Sequence, residues 1–143
     1  MHNIRNITED LIYLGCSDRR LDLFESAYHI KDGVSYNSFL LKDKQTVLFD
    51  TVDKACAEQI YENLKAGLNV RELDYIIIQH MEPDHCALLS EVVSRYPSAK
   101  IVCTAKTVTM IKQFFDLDID SKVQIVKEGD TLNTGTHELQ FIM

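Results

Sequence analysis

The sequence predicts an α/β fold in which helices pack on a central β-sheet. Its first third contains short apolar runs with no helical period between them, and the remainder alternates helical and strand patterns. The 143 residues leave room for one domain, and 45% apolar with 26% charged residues is the composition of a globular protein. We therefore expect one domain, built from a meander of strands followed by strand–helix units.

The first part of the chain predicts an antiparallel meander. Apolar runs with aromatic and branched residues are found at residues 10–15, 36–41 and 45–50. A short charged turn at residues 42–44 joins the last two runs. Strands that follow one another without a crossover helix pair antiparallel, so these three should lie side by side.

A helical period begins after the third strand. Asp53 occupies a typical N-cap position, and Gly67 is expected to end the helix. Between them Ala57, Ile60 and Leu64 recur at helical spacing. The later elements are predicted as strands at residues 75–79, 100–104 and 123–127, helices at 87–95 and 107–115, a turn at 129–130 and the start of a strand at 139–143.

Charge and cysteine usage exclude several classes of protein. The net charge of −7 disfavours binding to nucleic acid or to an anionic membrane surface, and no apolar run approaches the length of a membrane span. The four cysteines contain no C-x-x-C pair, which excludes a zinc ribbon or a thioredoxin-type motif. We expect a cytoplasmic protein whose cysteines are reduced and packed as small core residues.

The candidate site is the segment at residues 80–85, which follows the apolar run at residues 75–79 directly. Four of its six side chains can bind a metal ion: His80, Glu82, Asp84 and His85. Pro83 favours an extended backbone before it, and alternate side chains of an extended segment point to the same side. The first three of these ligands should therefore converge, and a turn would let His85 join them.

Two imidazoles and two carboxylates form a nitrogen and oxygen ligand set without a thiolate. Such a set suits Fe, Mn or Zn, and it could serve one ion or be divided between two. Asp50, at the end of the run TVLFDT, is a second candidate that could orient a metal ligand. An aspartate that merely caps the turn after a strand explains Asp50 equally well.

The order of YNSFLL, TVLFDT and IIIQHMEPDH resembles the flavodiiron proteins, also called A-type flavoproteins, which share the metallo-β-lactamase fold. Most of that superfamily has His where this chain has Glu82. The resemblance implies an αββα sandwich, of which residues 1–143 would form the N-terminal half. The rest of the diiron domain and a flavodoxin-like domain are expected beyond residue 143, and the apolar run at residues 139–143 also favours a longer protein.

The resemblance also implies a function. His80 and Glu82 would bind one iron, Asp84 and His85 the other, and FMN would be held by the domain beyond residue 143. Such an enzyme reduces O2 to water, NO to N2O, or both. Its implied partners are an electron donor, such as a reduced flavin or an iron–sulfur protein, and a second subunit in a head-to-tail homodimer. The family's later ligands would follow residue 143, so this piece alone is expected to be inactive.

Two other functions fit the same ligands. A dinuclear zinc hydrolase would use the metal pair to activate water, although Glu82 disfavours it because hydrolases of the superfamily usually have His there. A diiron protein that binds O2 without turnover, as a sensor, would have the same ligand pattern.

Overall fold

The computed structural model describes residues 1–24 and 26–143. The strands are β1 (Arg5–Asn6), β2 (Leu11–Tyr13), β3 (Cys16–Asp18), β4 (Leu23–Phe24), β5 (Tyr28–His29), β6 (Val34–Tyr36), β7 (Phe39–Lys42), β8 (Thr46–Phe49), β9 (Tyr75–Ile77), β10 (Lys100–Cys103), β11 (Val123–Ile125), β12 (Thr131–Asn133) and β13 (Glu138–Gln140). The helices are a 3₁₀ helix (Lys54–Cys56), α1 (Ala57–Leu68), α2 (Pro83–Cys86), α3 (Leu89–Arg95) and α4 (Ala105–Phe114).

The central sheet has seven strands in the order β1-β2-β7-β8-β9-β10-β11. Strands β2, β7 and β8 pair antiparallel, as the predicted meander requires, and β1, which was not predicted, pairs antiparallel with β2. From β8 through β9 and β10 to β11 the pairing is parallel, because a helix lies in each of these connections. The predicted α/β fold is confirmed. Three two-stranded pairs, β3–β6, β4–β5 and β12–β13, were not predicted.

The sheet is covered on both faces, which explains its continuous apolar strands. Successive residues of one strand point to opposite faces: Leu40 and Ile76 pack on the helical side, while Leu41 and Ile77 pack on the other. The second face is covered by the β12–β13 hairpin, whose Leu132 is buried there. Both faces therefore fix the register of the strands from which the candidate site projects.

Helix α1 departs from the prediction at both ends. Asp53 does accept a hydrogen bond from the Ala55 amide at 2.8 Å, but the turn it caps is the 3₁₀ helix. Gly67 lies inside α1 rather than after it, and the C-cap of the helix is Asn69 with φ of 56°. A Cβ at residue 67 would lie 2.9 Å from Leu40 Cδ2. The glycine serves close packing of the helix on the sheet, so it is not a stop signal.

Two predicted strands differ from the structure for local reasons. The run at residues 36–41 is divided between β6 and β7 because Ser38 turns inward, where its hydroxyl donates to the carbonyl of Asp50 at 2.9 Å. The apolar run at 139–143 contributes only to β13, which pairs with β12 and not with the large sheet. Apolarity predicted strands at both runs, but it did not identify their partners.

Two of the four cysteines are not the separate thiols that we predicted. Cys16 in β3 and Cys56 in the 3₁₀ helix form a disulfide, with Cα atoms 6.5 Å apart. The prediction of reduced thiols is wrong for this pair, because a separation of 40 residues does not reveal that β3 and the 3₁₀ helix are neighbours. Cys86 and Cys103 are free and buried, as predicted.

Within residues 1–24 and 26–143, no helix is both long and apolar enough to span a bilayer.

Candidate metal centre

The candidate site lies at the carboxyl ends of β8 and β9, which are parallel neighbours in the sheet. Asp50 follows β8, and Gln79 and His80 follow β9. Parallel strands deliver the residues after their carboxyl ends to one edge, where loops rest on a rigid sheet. Two segments that are about thirty residues apart in sequence therefore meet here.

Asp50 is the buried centre of this edge. The residue is 2% exposed, and its backbone adopts the left-handed region at φ of 55°. The carboxylate accepts from the Gln79 amide at 2.8 Å and the Gln79 Nε2 at 3.1 Å, and it lies 2.9 Å from His85 Nδ1. Burial raises the pKa of the Asp50 carboxyl even though these hydrogen bonds act to lower it. Burying a carboxylate and holding a non-glycine residue at positive φ both cost folding free energy, and such residues are typical of functional positions.

Thr51 attaches the same segment to the helix that carries two predicted ligands. Its amide and its hydroxyl both donate to the carbonyl oxygen of His85, at 2.7 and 2.9 Å. Asp50 and Thr51 thus hold His85 by its ring and by its backbone. The role of Gln79 and Thr51 was not predicted, although Thr51 ends the TVLFDT run that we singled out.

His80 and Glu82 form the first pair of predicted ligands. His80 Nε2 lies 3.1 Å from Glu82 Oε1, and both side chains are about half exposed. Two ligand atoms about 2.1 Å from one cation lie roughly 3.0–3.5 Å apart, so the observed distance suits a shared ion. The pair faces open space at the rim of the sheet.

Asp84 and His85 form the second pair, on helix α2. Glu82 has an extended backbone, but the helix begins at Pro83, so Asp84 does not continue the extended segment as we predicted. Proline is favoured at the first helical position because its φ suits the helix and it lacks an N–H. His85 Nε2 lies 3.6 Å from Asp84 Oδ2, a separation too long for a hydrogen bond but close to that of two ligands of one ion.

The imidazole rings bring the two pairs to one rim. The ring centroids of His80 and His85 are 5.5 Å apart, at an interplanar angle of 79°. Within the part of the chain that the structure describes, no three of the His, Cys, Asp and Glu side chains gather around one point. The structure thus brings the predicted ligands together as two pairs, and metal binding by them stays a prediction.

The donor chemistry fits a metal. Asp84 Oδ1 is buried and, among the described residues, has no hydrogen-bond partner. An unpaired buried carboxylate oxygen is costly unless a cation compensates it. The thiol of the nearby Cys86 is buried and donates to the carbonyl of Met81 at 3.2 Å, and burial chiefly raises its pKa, to about 11. Asp50, by accepting from Nδ1 of His85, leaves Nε2 free to bind a metal, which is the usual arrangement of metal-bound histidines.

A cavity of about 240 Å³ opens beside Asp84. Its wall contains Leu21, Leu23, Phe24 and Tyr36, together with Asp84. Among the described residues that line it there is no lysine or arginine. Burial, and then the nearby carboxylates, raise the pKa of Tyr36 to about 12, so its hydroxyl stays protonated and can donate a hydrogen bond.

Comparison with curated proteins finds relatives of one kind. The chain is 36% identical over 114 residues to the anaerobic nitric oxide reductase flavorubredoxin of Salmonella arizonae, covering 80% of this chain and 24% of that protein. It is 32% identical over 130 residues to the flavorubredoxin of Klebsiella pneumoniae, covering 90% and 27%. The chain spans about a quarter of the length of the curated relatives it matches.

Solved structures show the same likeness. The rubredoxin:oxygen oxidoreductase of Desulfovibrio gigas superposes with a TM-score of 0.83 at 30% identity, over 98% of this chain and 35% of that one. The flavodiiron protein of Giardia intestinalis superposes with a TM-score of 0.87, over 96% of this chain and 33% of that one, and its 24% identity supports the fold alone. The predicted resemblance to flavodiiron proteins and the predicted metallo-β-lactamase-like fold are both confirmed.

The family assignment rests on most of the sequence. The model of the ODP family beta lactamase matches residues 34–143, which include β6 to β13 and every predicted ligand. The chain belongs to the ODP family of beta-lactamase domains.

Proposed function

We propose that this chain supplies part of a diiron centre in an oxidoreductase that reduces O2 to water, NO to N2O, or both. The observation that carries the proposal is the arrangement of two ligand pairs at one strand edge, with the buried Asp84 Oδ1 unpaired among the described residues. The names of its relatives, a nitric oxide reductase and an oxygen oxidoreductase, support this reaction class.

The pairs define how two ions would be held. His80 and Glu82 would bind one, and Asp84 and His85 the other. The two carboxylates offset only part of the charge of two cations, and four side chains cannot fill two coordination spheres. The remaining ligands, including a bridging carboxylate, would come from residues that this sequence does not contain.

Two ferrous ions would each supply one electron and an open position, which suits the reduction of O2 or the pairing of two NO molecules. The protein's part is to hold the ligands and control the protons. Asp50 holds the proton on Nδ1 of His85, so that Nε2 keeps its lone pair. Thr51 fixes the His85 backbone, which keeps the ring in place when its charge environment changes.

The cavity beside Asp84 favours a small neutral substrate. Its leucine and phenylalanine side chains would accommodate an uncharged diatomic gas, whereas no cation among its described residues would bind the carboxylate or phosphate of a hydrolase substrate. Tyr36 lines the same cavity. Glu82, where superfamily hydrolases usually have His, favours the same conclusion.

The proposal includes cofactors and partners outside this chain. FMN would be held by a flavodoxin-like domain, and its electrons would come from a donor such as a reduced flavin or an iron–sulfur protein. A head-to-tail homodimer would bring the flavin of one subunit to the irons of its partner. We place the protein in the cytoplasm.

The test is the metal content of the full natural protein that contains this chain. Purified without oxygen, it should contain about two iron ions per chain. His80→Ala and Asp84→Ala should each lower iron content and abolish consumption of O2 and NO together. His2→Ala, at an exposed residue before β1 that does not line the cavity, is the matched control and should change neither. Unchanged iron in both site variants would contradict the ligand assignment, and stoichiometric zinc with hydrolytic activity would favour a hydrolase.

A further inference from the structure

The disulfide between Cys16 and Cys56 joins the two walls of the cavity beside Asp84. Cys56 ends the segment of residues 50–56, which begins at Asp50 and continues through Thr51 into the 3₁₀ helix. Cys16 lies directly opposite Tyr36 in the β3–β6 pair. The bond therefore connects the strand pair that carries Tyr36 to the segment that holds His85.

The contacts of the 50–56 segment show how the bond can influence the site. At one end Asp50 and Thr51 contact the ring and the carbonyl of His85. In the middle Asp53 caps the 3₁₀ helix and lines the cavity together with Asp84. At the other end Cys56 is covalently held. A change at Cys56 is therefore transmitted along a short segment whose far end positions a predicted ligand.

The pair is buried but borders an open cavity: Cys16 is 4% exposed and Cys56 is 8% exposed. Cys16 and Cys56 both line an open cavity of about 1040 Å³ that also contains charged side chains. Cys86 and Cys103 are similarly buried but free, and burial raises the pKa of each thiol to about 11. In a cytoplasm, disulfides are usually transient and redox-sensing, so a pair in this position is suited to reversible exchange.

The reduced state would keep its fold. Arg20 binds both segments without the disulfide: its Nε and Nη2 donate to the Asp18 carboxylate at 3.0 Å, and Nη2 also donates to the Ala55 carbonyl at 3.2 Å. Asp18 belongs to β3, and Ala55 belongs to the 3₁₀ helix. Reduction would thus loosen the connection between the walls without separating them.

We propose that Cys16 and Cys56 are a reversible redox switch that rigidifies the 50–56 segment when oxidised and loosens it when reduced. A dithiol reductant attacks one of the two sulfurs as a thiolate, breaking the Cys16–Cys56 bond and forming a mixed disulfide. Its second thiol then resolves that bond, so two electrons and two protons pass to the pair and the reductant becomes a disulfide. The consequence for metal ligands and the cytoplasmic location rest on the proposed function, but the thiol–disulfide exchange itself does not.

The experiment measures thiol state and backbone mobility in the metal-free chain. The chain is equilibrated in glutathione buffers of graded redox potential, free thiols are trapped with N-ethylmaleimide, and intact mass gives the oxidised fraction. Hydrogen exchange is measured in parallel on the oxidised and reduced forms. We expect reversible oxidation of this pair alone, and exchange at the Thr51 and Cys56 amides about tenfold faster after reduction. Amides of Leu48 and Ile76, in the central sheet, should not change.

Variants separate the switch from a general loss of stability. Cys56→Ser should reproduce the fast exchange in every buffer, and Cys103→Ser, at a buried free cysteine, should behave as wild type. If Cys56→Ser does not fold, chemical reduction of the wild-type chain gives the same comparison. A pair that stays oxidised in strongly reducing glutathione, or that never oxidises, would overturn the proposal, as would reversible oxidation with unchanged exchange at Thr51. If the full protein binds no metal, the proposed function is wrong, but the thiol titration and the hydrogen exchange still test the switch.

Discussion

Replacing Asp50 with asparagine tests whether this residue prepares His85 to bind a metal. The asparagine side chain keeps the size of the aspartate and tolerates the left-handed φ of 55°, so the backbone should not change. Its amide oxygen can still accept from the Gln79 amide, but its NH2 group would face His85 Nδ1. Because an NH2 group donates, Nδ1 would become the acceptor and the proton would move to Nε2, the nitrogen needed for the metal.

The size of the effect follows from the contacts that change. One acceptor for Gln79 Nε2, at 3.1 Å, is lost, and His85 must return to its other tautomer before it can bind. Loss of such a support lowers metal affinity about 10–100-fold. This corresponds to about 1.4–2.8 kcal/mol of binding free energy.

Although Asp50→Asn should weaken metal binding, it should not weaken the fold of the metal-free protein. The folded pKa of Asp50 is raised above its ordinary value of 3.8, so the unfolded carboxyl ionises first. A carboxyl whose folded pKa is raised stabilises the fold fully below its unfolded pKa of 3.8, and this contribution is lost as pH rises from there through the folded pKa. At neutral pH the buried charge therefore costs stability in the metal-free protein, and Asp50→Asn should keep or raise Tm.

The assay is an anaerobic competition titration with Fe²⁺ and a chelator in the longer protein that we propose contains this chain, with Tm measured on the metal-free form. Asp74→Asn is the matched control: it removes a partly buried carboxylate that accepts from the Thr46 amide at 2.7 Å, at the opposite end of β8 and β9. The control should keep full affinity. Unchanged affinity in Asp50→Asn, or a loss of affinity that merely accompanies a lower Tm, would refute the reasoning.

Two further predictions concern the scaffold. Ile76 is fully buried in β9, and Ile76→Ala should lower the free energy of unfolding by about 2–5 kcal/mol in urea denaturation. Ile125→Ala, at a 58% exposed position, should change it by less than about 0.5 kcal/mol, and equal losses in the two variants would contradict the assigned core. The hydrogen bond from His137 to Asp10 raises the pKa of His137 above 6.5, so the pair stabilises the fold below that pH and the benefit is lost as pH rises through the folded pKa. NMR titration should show this raised value and its return toward 6.5 in Asp10→Asn; an identical titration in that variant would show that the pair is not formed.

The sequence by itself determined the elements whose signals are local. Apolar runs marked β8, β9 and β10 as strands, and helical spacing marked α1 and α4. Because the ligand-rich segment follows a buried strand, the sequence placed His80 and His85 at the carboxyl end of that strand. These predictions succeed because burial, periodicity and strand ends depend on residues that are close together in the sequence.

Tertiary structure decided how distant segments meet. The contact of Asp50 with His85, the disulfide from Cys16 to Cys56 and the hairpin that covers the second sheet face all join residues that are far apart in the sequence or pair outside the main sheet. Gly67 shows the same limit at one position, since only packing against Leu40 explains a glycine inside a helix. Local propensity cannot encode such contacts, because they exist only after the sheet has brought separate segments to one face or one edge.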